Sequence, residues 1–319
     1  MGGILGNLST VSNDVLQVFG DGMTAPLVSI VIPAYRAARY LGETIASVRA
    51  QTHTQWELLI CEDGVVDDTA DQVRAFAATT PNPVRLWQNR INQGVSRTRN
   101  LLIDAAVGTY LAFLDADDLW PPAYLASALE RLERSRADWQ IVGVEFIDGD
   151  GGLLGRREIP PVIPFETIPT ALLRHSYILP SAVVAHRRIF DHGLRFDSRF
   201  PIGEDVDLWI AIIRAGFRPL VVPEAGCKYR KHPEGATADV IRLPEEFSRV
   251  FERYLGDPIV DQRLCRGSIC SMLTSVARMT WRRQPQRALA ALGRLFQVSP
   301  WHLPAWPWFI LAKASQARR

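Results

Sequence analysis

Short apolar runs alternate with amphipathic ones along the first third of the chain. Val28-Ser29-Ile30-Val31-Ile32 is an apolar run closed by Pro33, the pattern of a buried strand. Leu41, Ile45 and Val48 follow at helical spacing. Leu58 to Cys61 predicts a second buried strand, which ends in the acidic turn Glu62-Asp63-Gly64; a polar helix then runs to Phe76. Val84 to Trp87 predicts a third strand, and Asn92 is placed to cap a helix through Leu102 and Ala106. Tyr110 to Leu114 predicts a fourth strand, ending at Asp115-Ala116-Asp117-Asp118, and Leu125, Leu129 and Leu132 mark the next helix. This alternation predicts an α/β domain with a mainly parallel sheet flanked by helices. Ligands of such sheets sit outside the carboxyl ends of the strands. Two of these strands end in acidic clusters.

Beyond residue 138 the pattern changes. Trp139 to Ile147, the turn Asp148 to Gly152 and Leu153-Leu154 predict a strand and loop, or a hairpin, and a proline-rich stretch follows (Pro160, Pro161, Pro164, Pro169). Glu204 to Ala215 predicts a short helix with Trp209, Ile212 and Ile213 on one side. From residue 240 the chain reads as mostly helical: Ile269, Leu273 and Val276, then Leu289, Leu292 and Phe296, recur at three- and four-residue spacing. Three parts result: a loosely structured leader over 1–26, an α/β domain over 27–239 and a helical C-terminal extension over 240–319.

Charge sharpens that division. The chain has 36 Lys+Arg and 34 Asp+Glu, a net +2 that hides a split. From Gln262 to Arg319 there are ten basic and no acidic side chains, which leaves 26 basic and 34 acidic, a balance of −8, on the first 261 residues. A hydrophobic content of 47% excludes wholesale disorder. Four scattered cysteines without a C-x-x-C pair argue against a disulfide scaffold or a zinc site and fit a reducing compartment. No apolar run reaches the roughly 18 residues of a membrane-spanning helix. The start, Met1 to Gly22, carries Asp14 and Asp21 and no basic region, unlike a secretory signal. These features predict a cytoplasmic protein.

Four clusters offer chemistry, each with a structural alternative. Asp115 and Asp117, one residue apart at a strand mouth, supply hard oxygen ligands suited to Mn²⁺ or Mg²⁺ when substrate phosphates complete the shell. The same turn, just before Pro121-Pro122, also suits a helix N-terminus. Glu62 and Asp63 can accept hydrogen bonds from a nucleobase or a ribose, or cap the helix that follows. Gly203-Glu204-Asp205 opens a helix; a carboxylate there can take a proton from an attacking hydroxyl, or favour the helix dipole. Tyr229-Arg230-Lys231-His232 can stabilise a leaving diphosphate, or form a solvated basic turn. Neither a G-x-x-x-x-G-K-[ST] loop nor a G-x-G-x-x-G fingerprint is present.

Five segments in order then resemble a known family. They are Val28-Ser-Ile-Val-Ile-Pro-Ala-Tyr35, Glu62-Asp63-Gly64 with Asp67-Asp68-Thr69, Asn92-Gln-Gly-Val-Ser-Arg-Thr-Arg-Asn100, Ala112-Phe-Leu-Asp-Ala-Asp-Asp-Leu-Trp120 and Gly203-Glu-Asp-Val-Asp-Leu-Trp209. Together they resemble the family 2 glycosyltransferases with the A-type (GT-A) glycosyltransferase fold, over residues 27–233. The resemblance implies that Pro33, Ala34 and Tyr35 line a nucleotide pocket, and that Asp63, with Glu62 beside it, reads the base, usually uracil. The family more often has two Asp followed by Gly-Ser; here Glu62 and Val65 stand at the first and last of those positions. It further implies Arg99 near the nucleotide and phosphates, Asp115 towards ribose and metal, and Asp117 as metal ligand. Asp205 becomes the catalytic base with Glu204 on the acceptor side. Arg230 and His232 fall on a flexible segment that closes over the diphosphate.

The implied reaction is inverting transfer from a nucleotide-diphosphate sugar, a UDP-sugar, to a hydroxyl of a sugar or lipid-linked acceptor. It would use Mn²⁺ or Mg²⁺ and serve cell-surface polysaccharide or glycolipid synthesis. Two other readings compete. A nucleotidyltransferase making sugar nucleotides would want a glycine-rich basic loop where Pro33-Ala34-Tyr35-Arg36 stands. A non-catalytic sugar-nucleotide-binding or scaffold protein would not need Asp117 and Asp205, and both are present. The extension lies outside the resemblance. Its basic charge and four tryptophans (Trp281, Trp301, Trp306, Trp308) fit a peripheral contact with the anionic inner face of a membrane, or a helical subdomain packing its tryptophans on the catalytic domain. No nucleic-acid module accompanies the charge, so nucleic acid is not an expected partner.

Overall fold

A computed structural model describes residues 15–18, 28–64, 67–157, 167–174, 178–235 and 238–317. These residues build one nine-stranded mixed sheet. Its strands are β1 (Val15–Val18), β2 (Val28–Ala34), β3 (Trp56–Asp63), β4 (Val84–Asn89), β5 (Tyr110–Phe113), β6 (Trp139–Ile147), β7 (Leu153–Arg157), β8 (Val183–His186) and β9 (Pro219–Arg230). The order across the sheet is β1-β4-β3-β2-β5-β8-β6-β7, with β9 also paired to β6. The centre, β4-β3-β2-β5, is parallel, as is β6 with β9, whereas β1, β7 and β8 pair antiparallel with their neighbours.

Period-two alternation gives the central strands two buried faces. Ile30, Ile32, Leu58, Ile60, Ala112 and Leu114 join one core with α1 (Leu41–Arg49), α2 (Thr69–Ala77) and α4 (Tyr124–Ser135). Val31, Leu59, Cys61, Leu111 and Phe113 join the other with α3 (Val95–Ala105), α5 (Ile168–Arg174), α6 (Arg188–Asp191) and α7 (Glu204–Arg214). Trp209 of α7 stacks on Trp139 of β6 at 5.4 Å and meets Phe113 edge-on at 6.1 Å, which anchors α7 beneath the sheet.

The extension forms α8 (Arg242–Glu252), α9 (Gln262–Thr280), α10 (Pro285–Val298) and α11 (Trp306–Ala317). It belongs to the second core: Phe251, Ile269, Leu273, Leu292 and Leu295 are buried in the same cluster as α7. Polar contacts join it to the same helix and to the segment before it. Tyr254 Oη donates to Asp207 Oδ1 at 2.7 Å, and Arg253 donates to Asp197 at 2.7 Å and Asp207 at 3.1 Å. Among the described residues, Arg287 pairs with Glu245 and Arg294 with Glu252 inside the extension. The packing alternative for the extension therefore describes its helices: Trp281 and Trp308 lie against the core, while Trp301 and Trp306 remain exposed. Among the described residues, no helix is long and apolar enough to cross a membrane.

Several local expectations change. The leader contributes an edge strand, β1, antiparallel to β4, which its sequence pattern did not predict; its other residues lie outside the described ones. β2 runs on through Pro33 to Ala34. Leu114 N–H donates to Val31 O, so Val31, and by period two Pro33, present their backbone groups towards β5, whose pairing ends at Phe113. The missing N–H of Pro33 therefore costs the ladder nothing. The predicted hairpin is β6-β7. Pro160, Pro161 and Pro164 lie outside the described residues, and Pro169 sits in the first turn of α5, where proline is tolerated.

Candidate active site

The parallel register of β2, β3 and β4 assembles the first part of the site. Ala34 pairs with Glu62, and Glu62 and Asp63 pair with Gln88 and Asn89. Pro33 and Ala34 thus lie beside the acidic strand end, with Tyr35 exposed just beyond. Gln88 Nε2 donates to Glu62 Oε2 at 2.6 Å; among the described residues Glu62 Oε1 is buried without a hydrogen-bond partner. Burial holds the Glu62 carboxyl above the usual carboxylate range, against the Gln88 bond. Asp63 accepts from Asn89 Nδ2, Gln93 N–H and Gly94 N–H, all at 2.8 Å.

Asp63 therefore does not cap the helix that follows it in sequence. It receives the loop before α3, which leaves the neighbouring strand β4. Asn92, expected to cap that helix, sits two residues before the capping Gly94 and only turns the loop, its Oδ1 accepting from Gly94 N–H at 2.9 Å. Gly64 permits this closeness. Its φ is +81°, and a Cβ there would lie 2.0 Å from Asn92 N and 2.4 Å from the Ile91 carbonyl carbon. Gly64→Ala is expected to cost more than the roughly 1–2 kcal/mol of left-handed backbone alone, because the loop must also leave Asp63. Equilibrium denaturation would check this; a stability equal to that of the parent would show that the loop yields freely. Val65, next in the motif, lies outside the described residues.

The mouth of β5 forms the second part. Asp117 Oδ2 lies 2.9 Å from His232 Nε2, and the His232 ring tilts against Tyr40 with centroids 4.8 Å apart. Asp117 is about a third exposed, at 32%. The third acid, Asp118, is fully buried: Ser181 Oγ donates to it at 2.5 Å and Arg230 N–H at 2.9 Å. Burial, with Asp117 and Asp115 nearby, drives the Asp118 carboxyl well above the usual range. Asp118 pins the D-x-D turn to β9 and does not cap α4, whose N-cap position, Ala123, has no side-chain cap.

Arg230 departs from the flexible segment implied by the resemblance. Its side chain is fully buried. Nε donates to Asp117 O at 2.9 Å, Nη1 to Gly149 O at 2.9 Å and Nη2 to Glu43 Oε2 at 2.7 Å, with the guanidinium 4.7 Å from the Tyr40 ring. In this conformation it ties the D-x-D turn to the hairpin turn and to α1.

The third part joins the D-x-D turn to α7. Arg99, on the first turns of α3, donates from Nη2 to Asp115 Oδ1 at 2.6 Å and from Nη1 to Glu204 Oε1 at 2.7 Å. Burial disfavours its charge, but the two carboxylates outweigh that and hold it cationic. Asp205 follows Glu204 in the first turn of α7 and is buried, its Oδ1 accepting from Val206 N–H at 2.8 Å. Burial first, then the neighbouring Glu204 charge, raises the Asp205 carboxyl to about 7. A carboxyl poised there can exchange protons at neutral pH.

The structure thus brings Arg99, Asp115 and Glu204 into one chain of contacts, with Asp205 next to it in sequence. Asp117, His232 and Arg230 form a second group on the same turn. Pro33, Ala34, Tyr35, Glu62 and Asp63 form a third, set by strand register. Ser181, Glu43, Tyr40 and Asn89 were not singled out from sequence; only Asn89, at a strand end opposite Asp63, left a readable signal. For a cation, Asp117 and His232 offer an oxygen and a nitrogen at one point, and Asp115 retains an oxygen outside the Arg99 pair. Among the described residues no group of three or more His, Cys, Asp or Glu closes a metal shell by itself.

With this geometry in hand, the likeness to known proteins is specific. A family model described as Glycosyl transferase family 2 matches residues 29–194, more than half of the chain. The chain belongs to glycosyltransferase family 2 and is a glycosyltransferase. It is 29% identical over 188 residues, 59% of this chain and 70% of the other, to WfgD of Escherichia coli, a UDP-Glc:α-D-GlcNAc-diphosphoundecaprenol β-1,3-glucosyltransferase. Among solved structures it resembles S. aureus TarS in complex with UDP-GlcNAc, with a TM-score of 0.61 at 18% identity, covering 86% of this chain and 81% of that one. It also resembles the mannosyltransferase PcManGT of Pyrobaculum calidifontis in complex with GDP-Man and Mn²⁺, with a TM-score of 0.59 at 18% identity, covering 95% and 89%. Both structures share its A-type transferase fold.

Proposed function

We propose that this glycosyltransferase moves a sugar from a UDP-sugar to a hydroxyl of a lipid-linked acceptor, with inversion, in the synthesis of a cell-surface polysaccharide or glycolipid. It works in the cytoplasm at the inner face of the membrane. The observation that carries the reading is the Asp115–Arg99–Glu204 bridge, because it fixes the base-bearing start of α7 against the D-x-D turn. The names of WfgD and TarS's ligand support the donor and acceptor classes.

Pro33, Ala34 and Tyr35 flank the nucleoside, and Glu62 and Asp63 meet its base. Asp205 accepts the proton of the acceptor hydroxyl as that oxygen attacks the anomeric carbon from the face opposite the diphosphate. One displacement inverts the configuration, and no covalent sugar–enzyme intermediate forms, unlike the retaining glycosidase scheme. Glu204 faces the acceptor while its charge is balanced by Arg99. Asp117 and Asp115, with His232, would hold a divalent cation, and the mixed oxygen–nitrogen set suits Mn²⁺ better than Mg²⁺, which prefers oxygen ligands. Such a cation supplies charge neutralisation for the leaving diphosphate. The need is real, since Arg99 and Arg230 are both committed to protein partners.

The test is calorimetry of UDP binding with and without Mn²⁺. Asp117→Ala is expected to abolish the Mn²⁺-dependent part of the affinity. Equal Mn²⁺ dependence in the variant would remove Asp117 from the ligand set. A panel of GDP- and dTDP-sugars in the same assay would report base preference.

A further inference from the structure

One face of the extension leaves large apolar side chains exposed, although the Trp306 ring at its inner edge also meets Phe296, 5.1 Å away. On α11, Trp306, Pro307, Ile310, Leu311 and Ala314 are exposed, whereas Ala312 is fully buried and Trp308 and Phe309 lie half-buried on the inner side. The spacing of the exposed set, four residues apart in adjacent pairs, places it on one helix face. The preceding turn continues that face with Trp301, 83% exposed, and Leu303, 74% exposed. Large apolar side chains grouped in this way on a surface mark an interaction site.

Its border is cationic. Arg266 Nη1 donates to Val298 O at 3.2 Å, which sets an exposed arginine beside the turn carrying Trp301. Ser315 Oγ donates to Arg282 O at 3.5 Å, which sets exposed Arg282 at the other end of α11. Exposed Lys313 lies between, its Nζ 5.9 Å from the Phe309 ring. No acidic residue follows Asp261. Packing a second copy against this face would bring like-charged rims together. An apolar centre with interfacial tryptophans and a basic rim fits the boundary between anionic headgroups and acyl chains.

We infer that the outward face of α11 and the Trp301–Leu303 turn form a membrane-docking surface for anionic lipid. This deepens the lipid-linked acceptor reading and rests on it for its purpose. The docking brings the enzyme to its acceptor by insertion of side chains; among the described residues no helix is long and apolar enough to cross the bilayer.

The full chain is tested by flotation with phosphatidylcholine vesicles, with and without phosphatidylglycerol. It is expected to float with the anionic vesicles, less so at high salt, and not with phosphatidylcholine alone. Trp301→Ser combined with Ile310→Ser should lower the bound fraction on the order of tenfold, since both side chains lose their burial in lipid. These positions are exposed, so melting temperature and UDP binding in solution should stay at parental values. Arg266→Ala should weaken binding less and flatten its salt dependence. Parental flotation of the double variant overturns the inference. So does equal binding of the parent to neutral vesicles. Self-association without flotation, abolished by the same substitutions in sedimentation, would assign the face to a second copy and also overturn it. Failure of the parent to bind UDP or a UDP-sugar would strike the proposed donor reading alone and leave the vesicle result standing.

Discussion

Asp205→Asn is expected to lower kcat by about a hundred- to ten-thousandfold, the usual contribution of a positioned general base, with the UDP-sugar Kd unchanged. The asparagine keeps the shape of the side chain and can still accept from Val206 N–H through its carbonyl oxygen, so α7 should start as before. What it loses is the ability to take a proton. Single-turnover transfer and calorimetry separate the two effects. An Asn variant with near-parental turnover would take the base role away from Asp205.

The pH profile gives an independent reading of the same group. The Asp205 carboxyl is raised to about 7 by burial and by the Glu204 charge, with Arg99 opposing. A base must be ionised to act, so kcat/KM should climb as pH rises towards 7 and level off above it. An unperturbed aspartate, at about 3.9, would leave that range flat. Asp205→Asn should lose the ascending limb along with the rate.

Much of the catalytic domain was legible because both periodicities are clean there. β2, β3, β4 and β5 follow from apolar runs closed by Pro33, Gly64 and the acidic turn at Asp115, and α4 from Leu125, Leu129 and Leu132. β8 and β9 were not legible. β8 has four residues, and β9 carries Pro219 and Pro223 and shifts register against β6 near Gly143, so neither shows a strand's period. Acidic residues were visible as candidates, but their division of labour was not. Asp115, Asp117 and Asp118 are neighbours in sequence and meet three different partners: Arg99, His232 and Ser181. Those partners come from α3, from the end of β9 and from the segment before β8, and pairings at such long range leave no mark on local pattern. The extension shows the complementary case. Its charge could be counted from sequence, but the partners of Arg287 and Arg294 appeared only once α8 was seen to lie beside α10.

Arg99→Met should be the most damaging substitution to the fold of the site. Arg99 is 4% exposed at its side chain and is shared by two carboxylates, one of them, Glu204, nearly as buried. Methionine roughly fills the space but leaves Glu204 and Asp115 facing each other without a cation. Breaking a buried pair from one side costs about 3–5 kcal/mol, and chemical denaturation should register a loss of that order. The rate should fall as well, for a reason that stability alone would not produce. Arg99 lowers the Asp205 carboxyl, so its removal lets that group rise further, and the ascending limb of kcat/KM should move to higher pH. Arg99→Lys restores a charge but not the fork that reaches Asp115 and Glu204 together, so it should recover part of the stability and part of the limb's position. A limb that stays in place in Arg99→Met, at any stability, would mean that Arg99 is a structural strut with no hold on the base.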